Sequence, residues 1–176
     1  MKILGIDPGT ATTGWGVIES ERPDGKNYPR VIACGIIQTK AGLPDAQRLE
    51  DIFDAVCDII KKEKPDIVAV EQLFFFKNQK TVMTVSQSRG AILLAVRKSK
   101  TPIVEYTPLQ VKQAMVGYGR AEKRQIQEMV RTLLHLKEIP KPDDAADALA
   151  IALCAQSKNS KLKIQNQNLG EHSVLG

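Results

Sequence analysis

Lys2-Ile-Leu-Gly-Ile-Asp7-Pro-Gly-Thr10-Ala-Thr-Thr-Gly-Trp-Gly-Val-Ile18 opens the chain as two apolar runs hinged on Pro8-Gly9. Ile3, Leu4 and Ile6 are strand formers, and Pro-Gly is strong turn punctuation. Thr13, Trp15, Val17 and Ile18, with glycines interleaved, read as a second strand. The stretch is therefore a β-hairpin that presents Asp7 at the mouth of a sheet. A carboxylate there is costly to bury unless it is paired or binds a cation. It is also a common kind of turn residue, an aspartate capping its own backbone before Pro and Gly. The hairpin alone leaves both readings open.

Working outward, Val31 to Ile37 adds a third strand after a polar loop, so the chain begins as an antiparallel meander. Ala46 to Lys64 is an amphipathic helix, with Leu49, Ile52, Phe53, Val56, Ile59 and Ile60 at three- and four-residue steps. Pro65 stops it. The β-branched run Asp66 to Glu71 reads as a buried parallel strand under helices, and it ends in a second carboxylate. Reaction sites of open α/β sheets gather outside such strand ends.

Thr81 to Lys98 is a largely apolar helix, wetted on one side by Ser86, Gln87, Ser88 and Arg89. It is either central or half covered by a second subunit. Thr101 to Tyr106 is a strand. Thr107-Pro108 caps a helix over Leu109 to Val116. After Gly117-Tyr-Gly119, Ala121 to Leu136 is a helix expected to turn Ile126, Met129, Val130, Leu133 and Leu134 inward. The alanine-rich run Asp143 to Cys154 closes the fold. The expected architecture is one α/β domain over residues 1–156. Its five-stranded mixed sheet has three antiparallel N-terminal strands plus two parallel ones, with helices on both faces. Residues 157–176 are polar and read as a flexible tail.

The 176 residues suit a single domain with a substantial core. Lys and Arg number 25 against 20 acids, a formal charge of +5. Between Arg97 and Arg131 eight bases face three acids, a local excess as large as that of the whole chain. The three cysteines show no paired spacing and fit a reducing compartment. The two histidines form no ligand pattern, which argues against zinc. No signal-peptide pattern opens the chain, and no apolar run approaches the ~20 residues of a spanning helix. A soluble, cytoplasmic protein is expected, without membrane contact.

Four acids carry the chemistry: Asp7 and Glu71 at strand ends, Asp144 and Asp147 on one helix face. The helix dipole explains Asp143 and Asp144 in a first turn, but explains Asp147, a turn further in, less well. Four convergent carboxylates repel in a dry site, so cations must occupy it. Oxygen ligands select hard ions such as Mg²⁺ or Mn²⁺. Two such ions about 3.5–4 Å apart can activate water and stabilise the leaving oxygen of a phosphodiester. Phe74, Phe75 and Phe76 stand beside Lys77, and three consecutive aromatics cannot all point inward. One exposed phenylalanine among cations suits stacking on unpaired bases.

Gly5-Ile-Asp7-Pro-Gly, Val70-Glu71-Gln-Leu-Phe74 and Asp144-Ala-Ala-Asp147-Ala-Leu-Ala-Ile-Ala, in this order and spacing, resemble the RuvC family of Holliday-junction resolvases, in the ribonuclease H-like superfamily. Gln87-Ser-Arg-Gly90, Gln110-Val-Lys112-Gln and Ala121-Glu-Lys123 resemble it too, so the likeness covers about residues 1–156. It implies a homodimer that places paired symmetric nicks in a four-way DNA junction during recombination and repair. It also implies cutting beside thymines and cooperation with the RuvA–RuvB branch-migration complex. Residue by residue, Asp7, Glu71, Asp144 and Asp147 match the metal-binding acids, and Phe74 matches the aromatic that wedges into the junction. Lys112 and Lys123 match basic residues near the cleaved strand, and Lys77 and Arg89 join them as expected DNA contacts. Asp143, beside Asp144, is a departure from the family pattern.

Two other readings compete. The opening Gly-Ile-Asp-x-Gly-Thr also resembles the phosphate hairpin of sugar kinases and actin-like ATPases. Those enzymes need two such domains, and only one such hairpin is visible here. A non-catalytic junction-binding protein is the other, and intact acids at all four positions argue against it.

Overall fold

Strand alternation divides the molecule into two cores. The computed structural model describes residues 1–20, 25, 28–73 and 79–171, the side chains of 79–81 and 158–171 excepted. In β1 (Lys2–Asp7), Ile3 and Gly5 face one side of the sheet while Leu4 and Ile6 face the other. β2 (Thr12–Glu19) pairs antiparallel with β1, and β3 (Arg30–Gln38) antiparallel with β2. β4 (Ile67–Glu71) lies parallel to β1, and β5 (Ile103–Tyr106) parallel to β4. The spatial order is β3-β2-β1-β4-β5, so the expected mixed sheet is present and its two central strands are β1 and β4.

On one face α1 (Asp45–Glu63) and α2 (Gln79–Lys98) pack Ile52, Val56, Ile60, Ile92 and Val96 against Leu4, Ile6, Val17, Val68 and Val70. On the other lie α3 (Pro108–Val116), α4 (Lys123–Leu133) and α5 (Asp143–Glu171). There Ile3, Ile18 and Ala69 meet Val111, Met115, Ile126, Val130 and the alanine-rich side of α5. The sheet is therefore covered on both faces, as its β-branched central strands require. No helix among the described residues is long and apolar enough to cross a membrane.

Three local expectations need correction. Leu133 is exposed rather than inward, because α4 ends there and the following Leu134 takes the buried position. Ser88 is fully buried rather than wetted, since its hydroxyl donates to the Thr84 carbonyl at 3.1 Å and shares a hydrogen bond with the Thr10 hydroxyl at 3.1 Å. The closing helix does not end near Cys154. It continues through the polar stretch to Glu171, where Lys, Gln and Leu propagate a helix already nucleated by packing.

Candidate active site

The register of the two central strands brings the first two acids together. Ile6 of β1 stands beside Val70 of β4, so Asp7 and Glu71 are the next residues on neighbouring parallel strands. Alternation turns both toward α5, the side that Ile3, Ile67 and Ala69 also face. α5 brings Asp144 and Asp147 to the same place from its first two turns. Asp7, Glu71 and Asp147 line a cavity of about 210 Å³ together with Lys112, Lys123, Pro108, Val111, Ile126 and Ala150.

The electrostatics report a crowded anionic site. Burial pushes the Asp7 carboxyl up to about 8, and the charges of Glu71, Asp147 and Asp144 push it further the same way, against Lys123. Glu71 is raised to about 7 by burial and by Asp147, with Lys112 opposing. Asp147 is raised by burial, against a hydrogen bond and charge from Lys123. Asp144 acts on both Asp7 and Asp147, whereas Asp143 acts on Asp147 and Lys123 and not on Asp7. Asp144, whose carbonyl lies over Gly14 opposite Asp7, is the one of the two adjacent acids whose charge acts on Asp7.

Both lysines are placed by helix starts. Thr107 caps α3 through a reciprocal pair: Gln110 N–H donates to Thr107 Oγ1 at 3.2 Å and Thr107 N–H donates to Gln110 Oε1 at 2.9 Å. Lys112 follows on the cavity side. Lys123 is the first residue of α4, where the helix dipole disfavours a cation. Its ammonium instead reaches Asp147 at 2.9 Å and Asp143 at 3.5 Å. Among the described residues no three acid, imidazole or thiol side chains already form a closed metal-ligand set. An all-carboxylate cluster whose members raise one another's proton affinity nevertheless has the donor chemistry of a hard divalent cation.

The profile of the family described as "Crossover junction endodeoxyribonuclease RuvC" matches residues 3–155. The chain belongs to the RuvC family. A RuvC of Caldanaerobacter subterraneus subsp. tengcongensis, named crossover junction endodeoxyribonuclease, is 53% identical over 163 residues, covering 93% of this chain and 96% of that one. The Thermus thermophilus RuvC structure superposes with a TM-score of 0.84 at 36% identity, over 92% of this chain and 96% of that one. T. thermophilus RuvC in complex with its Holliday junction substrate gives 0.81 at 33% identity, with the same coverage.

This RuvC chain brings six of its nine expected site residues to one place: the four acids, Lys112 and Lys123. Arg89 is elsewhere. It pairs with Glu105, which sits beside Val70 on the α1/α2 face, so its charge is held on the side of the sheet opposite the acids. Phe74 and Lys77 lie outside the described residues.

What sequence reading missed is a floor of glycines. In the β1–β2 register Gly5 stands opposite Gly16, and Asp7 opposite Gly14. A Cβ on Gly5 would collide with the Ala148 carbonyl and stand 2.7 Å from Ala152 N. On Gly14 it would meet the Asp144 carbonyl, and on Gly16 the Leu149 side chain at 2.7 Å. The backbone of α5 therefore rests directly on the sheet, and that approach delivers Asp144 and Asp147 to Asp7. The signal was present as glycines at alternate strand positions and alanines along α5. The turn beside Asp7 is also pinned, because Thr39 Oγ1 donates to Thr10 O at 2.7 Å and Thr13 Oγ1 donates to Gly9 O at 2.6 Å.

Proposed function

We propose that this chain is a divalent-cation-dependent endonuclease that resolves four-way DNA junctions by paired nicks. The observation that carries the reading is the convergence of Asp7, Glu71 and Asp147, with Asp144 in electrostatic reach, on one cavity flanked by two lysines. Asp7, Glu71, Asp144 and Asp147 would hold Mg²⁺, with Mn²⁺ able to substitute, as two ions per subunit. Bound there, such ions supply an activated water and charge neutralisation at the leaving oxygen of a phosphodiester. Lys112 and Lys123 would hold the phosphates of the strand entering the cavity, and Val111, Ile126 and Ala150 limit water on its inner wall. A cation held by Asp147 would compete with Lys123 for that carboxylate and leave the ammonium for a phosphate.

The same reading assigns Phe74 to the junction crossover, with Lys77 on nearby phosphate. A homodimer suits a pseudo-two-fold substrate, and work alongside RuvA–RuvB follows from the family, as does a cytoplasmic location. The test is a synthetic four-way junction labelled on each strand. Symmetric nicks are expected with Mg²⁺ and none with chelator. Asp7→Asn should abolish nicking while binding the junction with wild-type affinity, since the basic rim is untouched. Equal loss of binding would refute that division between acids and lysines.

A further inference from the structure

Leu109 and Tyr118 are large apolar side chains left open beside the acid cavity, 52% and 50% exposed. They come from opposite ends of α3. Leu109 directly follows Pro108, which lines the cavity. Tyr118 lies in the linker to α4, where Gly117 takes a left-handed φ of 84° and folds the chain back. A Cβ on Gly119 would meet the end of the Leu109 side chain, so the linker rests against the start of α3. Tyr118 then borders a groove of about 540 Å³ lined also by Val116, Met129, Arg124, Glu122 and Glu128.

Two guanidinium groups and one acid are left over around this ledge. Glu128 is taken by Arg131 at 2.8 Å. Glu122, which caps α4, is the acid that remains in the groove. Arg120 and Arg124 are exposed and make no ion pair among the described residues, and Lys112 and Lys123 stand on the cavity side. An exposed ring beside exposed guanidinium groups is how sequence-tolerant single-strand binding is built, with the ring on a base face and the cations on phosphates. A tyrosine held between two glycines in a turn, away from any core, has no packing reason to be aromatic.

We propose that Tyr118, on the Leu109 ledge, is a second stacking platform that takes an unpaired base of the DNA strand led to Asp7 and Glu71, with Arg120 and Arg124 on its phosphates. This rests on the nuclease reading of the cavity and extends it to the path of the strand. The platform holds the nucleotide flanking the reacting phosphate, so it acts on binding and register and takes no part in the bond-making step.

The test places 5-iododeoxyuridine at successive positions on either side of the crossover of a synthetic junction, with the full chain and chelator present. Irradiation should cross-link one position to the peptide carrying Tyr118. Tyr118→Leu, which keeps apolar bulk at an exposed site, should lose that cross-link and weaken junction binding by roughly 5- to 50-fold. Tyr118→Trp should retain binding. Wild-type affinity in Tyr118→Leu, equal loss in the leucine and tryptophan variants, or cross-links mapping only to other peptides would each overturn the platform. Because wild-type nicking with Mg²⁺ is scored separately on the same junction, failure of the platform is distinguishable from failure of the nuclease assignment.

Discussion

The two faces of the sheet solve the same burial problem in opposite ways. On the α1/α2 face, branched side chains fill the space between helix and strand: Leu4, Ile6, Val17, Val68 and Val70 against Ile52, Val56, Ile60 and Ile92. On the α5 face the side chains are removed, and glycine meets alanine so that helix backbone lies on strand backbone. Interdigitated aliphatics tolerate small volume changes by repacking. Backbone laid on backbone does not, since neither partner has a rotamer to change. The second face is the one that carries the acids. The glycine floor fixes where α5 places Asp144 and Asp147, the precision that a metal-ligand role for these acids would need.

The largest expected contrast compares two glutamates on adjacent strands. Glu71→Gln, on the α5 face, should lower nicking by roughly 10²–10³-fold. Glu105→Gln, one strand over on the other face and paired with Arg89, should leave nicking within a few-fold. Comparable losses in single-turnover assays would erase the functional difference between the faces.

Packing should differ next. Gly5→Val places atoms where the Ala148 carbonyl and Ala152 N stand, and should cost upward of about 3 kcal/mol in urea unfolding or prevent folding. Ile6→Val, its neighbour pointing the other way, should cost only about 0.5–1.5 kcal/mol. A Gly5→Val protein as stable as Ile6→Val would mean that α5 can move off the sheet.

The anionic face should also make stability depend on pH. Asp7, raised to about 8, and Glu71, raised to about 7, hold protons more tightly in the folded than in the unfolded chain. Metal-free protein is therefore expected to lose stability as pH rises from about 4 through about 8, by several kcal/mol at about 1.4 kcal/mol per pKa unit. Asp7→Asn should flatten the profile and raise the melting temperature at pH 8, although it removes activity. Thermal melts in chelator that rise with pH instead would place the acids apart.

The smallest effect belongs to Lys123. Its pairs with Asp147 and Asp143 are half exposed, so Lys123→Ala should change stability by less than about 1 kcal/mol. Junction binding should weaken, and the salt dependence should fall by about one phosphate contact. An unchanged salt slope would confine Lys123 to an internal role.

Much of this was legible in the chain because it depends on local pattern. Short runs of strand formers marked β1, β4 and β5, helical spacing marked α1 and α4, and Thr107-Pro108 marked the start of α3. The four acids were legible because each sits at a marked position, two at strand ends and two on one helix face. Errors came where a residue's surroundings are set by distant partners. Ser88 looked wet until Thr10, far away in the chain, supplied its hydrogen bond. Arg89 looked free until β5 supplied Glu105. The closing helix is also longer than its alanine-rich run, because Lys, Gln and Leu sustain a helix already nucleated by packing.

By itself, then, the sequence determined which residues are strands and helices, which carboxylates exist to be gathered, and which ions such oxygens would select. These are properties of single residues and of short periods. Only the tertiary structure decided that Asp144 comes to lie over Gly14, opposite Asp7, that Lys123 reaches Asp147 while Arg89 reaches Glu105, and that Gly5, Gly14 and Gly16 form the floor beneath the acids. Each of those depends on strand register and on how closely one backbone approaches another. Such quantities arise between segments far apart in the chain, and no single segment specifies them.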